Sequence, residues 1–378
     1  MMRRLLRPLG AAVLVAGLVA VVFVAIETRP PLVSDPPSEG TDRAAALSAF
    51  LAETAPAEGT APRGPWVLSL PQDHGSHPEA PAETWTISAA LTTTDGARFD
   101  LFLSLLRYDV AGAEGGTDAP LPWDVATLWA GQIVLIPSAP APALTAERYA
   151  RIAGAAGHDA AAQEVWIDDW TMSYGIGDGA EGLRLRASVG TALLDLSLAP
   201  DKPPLAPEGS DAVGPRGFAM PRLAVTGSVV IDAEGAEVSG TAWLDRSWGD
   251  LPLPGGPIGY DRLIVHLSDG SDLSLLRTRR IGRAGAATLD AVLIDPDGAV
   301  TYLEDAALDL EVRRAEGNTP AAWRLTGAGV DITATVGRWT VQDVLAPVRL
   351  GPADVEGRVN GAAVAGRGVL VLTEGGEE

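Results

Sequence analysis

The chain reads as an all-β protein made of antiparallel sheets, a sandwich or a barrel in each of two halves. Three observations carry that reading. From Trp66 onward the sequence is a succession of short runs in which small or polar residues alternate with apolar ones, the period-two pattern of half-buried strands. Gly, Pro and Asp separate the runs, as turns between strands require. No long stretch repeats apolar residues at helical spacing, so the core must lie between sheets or inside a closed one.

At the N-terminus Arg3, Arg4 and Arg7 precede an uncharged apolar run from Pro8 to Ile26, closed by Glu27 and Arg29. That length suits a membrane-spanning helix or a signal peptide, and the basic residues ahead of it predict export of everything that follows. No cysteine follows for a lipid anchor, and no small-x-small cleavage site closes the run. The expectation is an uncleaved transmembrane anchor over 1–29, with the body outside the cytoplasm. Residues 30–62, rich in Pro, Ala, Glu and Thr, read as a tether with one short helical candidate, Asp42–Glu53.

In the first half the strand-like runs are Thr84–Leu91, Phe99–Leu106, Gly131–Ile136, Gly182–Val189 and Ala192–Leu198. Leu121–Ala130 and Glu147–Ala156 read as loop or helical insertions between them. The Pro- and Gly-rich break Ala199–Gly217 places a domain boundary near Ser210, which gives domains over 63–209 and 210–378. Beyond it Val225–Ile231 and Val238–Leu244 flank the turn signal Asp232-Ala-Glu-Gly235, a β-hairpin. Further runs are Ile258–Leu267, Asp272–Arg279, Ala291–Ile294, Ala321–Leu325, Asp331–Val336 and Gly366–Thr373. No sequence repeat links the halves, and Glu374–Glu378 reads as a frayed tail.

Composition removes several functions. The net charge of −21 over 378 residues repels nucleic-acid phosphates. The absence of cysteine excludes disulfides, thiolate metal sites and cysteine nucleophiles. Histidine chemistry must use His74, His77, His158 or His266. No nucleophile elbow, phosphate loop, dinucleotide fingerprint or His-Glu-x-x-His is present.

Two stretches concentrate polar groups. Gly240-Thr-Ala-Trp-Leu-Asp-Arg-Ser-Trp-Gly-Asp250 packs two tryptophans, two carboxylates and a guanidinium into one segment. On a strand Trp243 and Asp245 share one face, while Leu244, Arg246 and Trp248 share the other. A charge therefore goes inward on either face, at a cost unless it is paired. An Asp245–Arg246 ion pair that stabilises the fold and a ligand site are both open readings. The second stretch, Leu70-Pro-Gln-Asp-His-Gly-Ser-His-Pro78 with Glu83-Thr-Trp85, allows a metal site, a polar loop, or acid–base work by Asp73, His74 or His77. Gly75 and Pro78 exclude a helical ligand pair, and no third or fourth ligand is visible. Trp123, Trp129, Trp166 and Trp170 read as core.

Taken together these residues resemble a family of bacterial secreted, lipocalin-like proteins that includes carotenoid 1,2-hydratase and secreted hydrolase-like proteins with an AttH-like domain. Asp73-His-Gly-Ser-His77 with Glu83 and Trp85 resembles the family's opening Asp-x-Gly-x-His and Glu-Trp. Val165–Trp170 and Leu196–Pro204 resemble its middle, and Gly240–Trp248 its Gly-x-Ala-Trp-x-Asp-Arg/His-x-Trp signature. Val355-Glu-Gly357 and Gly366–Thr373 resemble its end. The resemblance implies two consecutive lipocalin- or calycin-like antiparallel β-barrels and a long apolar ligand such as an isoprenoid or lipid. It also implies site residues at Arg246 and Trp248, where the hydratases carry a histidine and a tryptophan. Arginine at position 246 is a poor proton donor, and the later tyrosine and aspartate of the hydratases fall near Leu276 and Thr278. The barrel architecture therefore carries over better than the hydratase activity.

The functional expectation is a protein anchored in the inner membrane of a bacterial envelope that binds an apolar or lipid-like molecule in the periplasm. Its ligand-binding candidates are Arg246, Trp248, Trp243, Glu83, Trp85 and Asp261, and its catalytic candidates are Asp245, His77 and Asp73. No metal or cofactor is expected. The alternative is a hydratase or hydrolase acting on an isoprenoid or ester by acid–base chemistry. An accessory of an envelope transporter is a further one.

Overall fold

The computed structural model describes residues 65–109, 127–138, 141–150, 154–176, 182–206, 215–249, 258–280, 287–314, 320–343 and 347–373. The expected anchor, tether, helical candidate and C-terminal tail lie outside these residues, as does Trp123. Among the described residues no helix is long and apolar enough to cross a membrane.

The described chain is all-β and forms two barrel-like antiparallel sheets in two compact units. The first unit holds β1 (Ala82–Thr93), β2 (Arg98–Asp109), β3 (Thr127–Pro137), β4 (Leu144–Ala150), β5 (Ala156–Asp159), β6 (Glu164–Ile167), β7 (Trp170–Ile176), β8 (Gly182–Val189), β9 (Ala192–Pro200), β10 (Arg216–Ile231) and β11 (Glu234–Gly249). The second holds β12 (Ile258–Leu267), β13 (Asp272–Arg280), β14 (Thr288–Ile294), β15 (Val300–Leu303), β16 (Leu308–Arg314), β17 (Pro320–Gly327), β18 (Val330–Val336), β19 (Thr340–Asp343), β20 (Pro347–Val359) and β21 (Ala362–Thr373).

The first sheet runs β4-β3-β2-β1-β11-β10-β9-β8-β7-β6-β5. The hairpin expected at Asp232 is present, with Asp232 and Ala233 both at positive φ, as a two-residue turn matching the strand twist requires. Its second strand, β11, pairs over Val238–Gly249 with the whole length of β1. That pairing moves the domain boundary. The break Ala199–Gly217 connects β9 to β10 inside one sheet, so the division follows Gly249 and not Ser210. The expected insertions are corrected where they are described, because Thr127–Pro137 and Leu144–Ala150 are strands; 121–126 and 151–153 lie outside the described residues. β3 is buried on both faces between its two ends, and β4 is a partly exposed strand at the end of the sheet order, so neither shows a clean alternation of apolar and polar residues. The sheet curls so that β4 approaches β8. Arg148 on β4 donates to Asp169 at 3.0 Å and to Ser188 at 3.1 Å.

The second sheet runs β15-β14-β13-β12-β21-β20-β18-β17-β16, with β19 beside β20. Each sheet thus begins with a four-strand meander whose first strand pairs with the sheet's last. The repeat extends to one layer of inward-facing residues. In the first sheet Arg107, Glu83, Trp248 and Arg216 stand side by side across β2, β1, β11 and β10. In the second, Arg277, Asp261, Leu372 and Arg349 do so across β13, β12, β21 and β20. The order Arg, acid, apolar, Arg is the same at the same end of both sheets.

Inside the first sheet, successive layers below the polar one become apolar. Leu105, Trp85, Arg246 and Phe218 lie in register, followed by Leu103, Ile87, Leu244 and Met220. All of these side chains except Arg246 join Trp129, Trp170 and Tyr174 in one contiguous core. Gly131 is required there, since a Cβ would lie 2.9 Å from the Trp170 ring and 3.0 Å from Leu105.

Candidate functional site

The polar end of the first sheet is closed by the segment from Ser69 to Ala80, which folds into the mouth. A single 3-10 turn, Gln72–His74, starts it. Its buried carbonyls are met by side chains of the sheet, as buried backbone groups must be. Trp85 Nε1 donates to His74 O at 2.8 Å, and Arg246 donates to Gly75 O at 2.5 Å. Arg107 donates to Ala80 O at 2.9 Å and to Pro78 O at 3.2 Å. Residues from three strands therefore hold one loop.

Glu83 is the centre of the cluster. Its side chain is 0% exposed, and it pairs with Arg246, also 0% exposed. It accepts from Arg107 at 2.7 Å, from the Ser76 hydroxyl at 2.6 Å and from the His77 backbone N–H at 2.9 Å. Burial alone would push its carboxyl up. The Arg246 guanidinium, the His77 contact, Arg107 and Ser76 outweigh that and hold it well below the usual carboxylate range. Arg246 also donates to Ser247 O at 2.8 Å and to Thr84 O at 3.3 Å. Its guanidinium lies over the Trp85 ring at 3.9 Å and 5.1 Å from the Trp248 ring centre. Burial lowers the Arg246 pKa, with Glu83 opposing, yet a guanidinium stays protonated.

His77 is the group that reaches outward. Its side chain is 14% exposed and that of Asp73 10%. His77 Nε2 lies 3.1 Å from Asp73, and Nδ1 lies 3.4 Å from Glu83 and 3.1 Å from the Arg246 guanidinium. The imidazole stacks on Trp248 at 3.9 Å with planes 3° apart, and Trp66 meets the same indole edge-on. Asp73 accepts from the Ser69 N–H at 2.6 Å. Two fully buried donors, Arg246 Nε and Trp248 Nε1, have no hydrogen-bond acceptor among the described residues.

Six of the residues singled out in the sequence meet here: Asp73, His77, Glu83, Trp85, Arg246 and Trp248. Three do not. Trp243 and Asp245 lie on the opposite face of β11, so the Asp245–Arg246 ion pair does not form; Glu83 takes that place from the neighbouring strand. Asp261 belongs to the second sheet, where Arg277 donates to it at 3.1 Å. His74 is buried against Phe218, and no group of His, Asp and Glu suited to a metal ion occurs among the described residues. Sequence reasoning missed Arg107, although it continues the inward alternation of Leu101, Leu103 and Leu105 and so places a charge on a core face. It named His158 only as one of four histidines and missed Tyr174; both stand where a Cβ on Gly75 would go and carry no local motif.

Two barrel-like sheets of one topology, with a buried polar cluster at the mouth of the first, define a lipocalin-like protein of the double-barrel type. The model of the AttH-like family matches residues 61–373, and the chain belongs to that family. Two solved structures share the fold. One, assigned as AttH from Nitrosomonas europaea, is 22% identical with a TM-score of 0.66, over 82% of this chain and 97% of that one. The other is kievitone hydratase from Nectria haematococca, 15% identical with a TM-score of 0.58, over 85% of this chain and 95% of that one. Comparison with curated proteins returns no match.

Proposed function

We infer that the protein binds a long apolar molecule carrying an oxygen function, such as an isoprenoid alcohol or a lipid, at the mouth of the first sheet. The pair of buried donors, Arg246 Nε and Trp248 Nε1, carries this reading. A buried donor without an acceptor costs about 1–3 kcal/mol, and a ligand oxygen placed beside them removes that cost. Arg246 does not act as a free cation for an anionic head group, because Glu83 already neutralises it. Trp66, Trp248 and the apolar layers beneath supply the surface for the rest of the molecule. The test is a titration of the full chain with a polyene alcohol and with its parent hydrocarbon, followed by tryptophan quenching. Trp248→Phe keeps the ring and removes the donor. It should weaken the alcohol about tenfold and leave the hydrocarbon unchanged; equal effects on both, or binding of neither, refute the reading.

A second reading is hydration of a carbon–carbon double bond. The Asp73–His77 pair supports it, being partly exposed and held by Glu83 and Trp248, as does the fold shared with a hydratase. A proton adds to one carbon, the oxygen of water to the other, and the water's second proton returns to the site. Incubation with a polyene in isotopically heavy water should give a labelled alcohol that His77→Gln abolishes. An envelope setting completes the proposal, with 1–29 as membrane anchor; service as an accessory of an envelope transporter is the further alternative. Protease protection in spheroplasts and capture of cross-linked permeases test those two points.

A further inference from the structure

We propose that His158 and Tyr174 form a second proton-handling pair built into the same end of the first sheet and coupled to Asp73–His77 across Gly75. The proposal rests on reading that end as the functional site. His158 Nε2 lies 2.5 Å from the Tyr174 hydroxyl, and the two rings stack with centres 5.9 Å apart. They come from β5 and β7, far in the sheet order from the β1–β11 pair that carries Glu83 and Arg246. The Ser69–Ala80 loop brings the two sides together. A Cβ on Gly75 would stand 2.5 Å from His158 Nε2 and 2.7 Å from the Tyr174 hydroxyl, so only glycine lets the pair close on the loop. The carbonyl of that same glycine accepts from Arg246. One backbone position therefore touches both polar groups.

The chemistry of the two pairs differs. His77 lies between two carboxylates, Asp73 and Glu83, whereas His158 faces a phenol. The charged and titratable groups acting on His158 are Glu83 and Arg246 of the sheet, His77 of the loop, Asp159 of its own strand and Tyr174. Burial lowers its pKa, and His77 and Arg246 push the same way against Glu83 and Asp159. Burial likewise raises the Tyr174 hydroxyl. A neutral His158 accepting the tyrosine hydrogen bond at Nε2 carries its own proton on Nδ1. Two histidine pairs in unlike surroundings within one mouth allow one to give a proton while the other takes one.

The chain has four histidines, so NMR resolves each imidazole in the intact protein without any ligand. His266, paired with Asp272 at 2.7 Å in the second unit, is the internal control. In His77→Gln the His158 titration midpoint should move by about half a pH unit, and in His158→Gln that of His77 should move reciprocally. Tyr174→Phe, which preserves the core ring, should move His158 and leave His266 alone. Midpoints of His77 and His158 that ignore each other's substitution overturn the proposal. If one glutamine variant fails to fold, the reciprocal variant and Tyr174→Phe decide it. Because no ligand is involved, a failed binding titration leaves this result standing, and the reverse holds as well.

Discussion

The Arg246 guanidinium reaches diagonally across the β1–β11 pair to Glu83, not sideways to its sequence neighbour Asp245. Alternation along β11 forces this, since residues 245 and 246 point to opposite faces. Trp85, directly opposite Arg246, spreads its ring under the guanidinium, and Trp248, directly opposite Glu83, stacks on His77. The four residues form a two-by-two block on the inner face, and the Ser69–Ala80 loop is tied to it.

Removing the carboxylate while keeping its shape tests the block. Glu83→Gln leaves Arg246 buried without its anion, while Arg107 keeps Asp109 at 2.7 Å, and should cost about 3–5 kcal/mol. Eight of the ten tryptophans precede residue 250, so a urea transition followed by tryptophan emission reports on the first unit. Arg246→Lys should lose most of the same stability. An ammonium cannot serve Glu83, Gly75 O, Ser247 O and Thr84 O at once. An unchanged midpoint in both variants would remove the ion pair from any structural role.

The Glu83 carboxyl is held below its ordinary value in the folded chain, so the unfolded state takes up its proton first as pH falls. The stability it contributes is complete above the unfolded glutamate value of about 4.3 and is lost progressively below it. Between neutral pH and pH 5 the first unit should show little change from this group. Below that its urea midpoint should drop steeply, and Glu83→Gln should flatten the slope. Urea titrations at stepped pH on the two proteins give the comparison.

The all-β class was legible because alternation and turn chemistry are local. Ile258–Leu267 has the same limits as a predicted run and as β12. The pairing of strands distant in sequence was not. Nothing in the hairpin Val225–Leu244 says that its outer strand will seek β1, and the Pro-rich break beside it resembles an interdomain linker. Hence the misplaced boundary at Ser210. Within the site, Asp73, His77 and Arg246 stood out as charges beside aromatics, but which of them touch depends on register. Glu83 and Arg246 are 163 positions apart. The repeated layer of Arg, acid, apolar and Arg escaped notice because it is written one residue per strand.

Packing at the middle of the first sheet gives a prediction independent of charge. Gly131→Ala places a methyl carbon 2.9 Å from Trp170 and 3.0 Å from Leu105, both inside a closely packed core. Neither ring nor leucine can move without disturbing its own neighbours, so the substitution should cost about 1–3 kcal/mol by overpacking. Near-UV circular dichroism should change with it, since Trp170 is pushed, whereas the far-UV strand signal should persist. A variant as stable as the parent would show that the interior has spare room beside Trp170.

The loop at the mouth is held by interior donors, and the Trp85 indole isolates one of them. Trp85→Phe keeps an aromatic ring against Trp129 and under Arg246 but removes the N–H that serves His74 O. That carbonyl is buried, so the loss should be about 1 kcal/mol or somewhat more, felt first where the loop opens and closes. Hydrogen exchange at the Asp73, His74 and Gly75 amides, which close the turn onto Ser69, Pro71 and Gln72, should speed up about tenfold. Amides of β8 and β9 should not respond. Exchange that rises equally in all of them would mean that the indole stabilises the whole unit and not the loop.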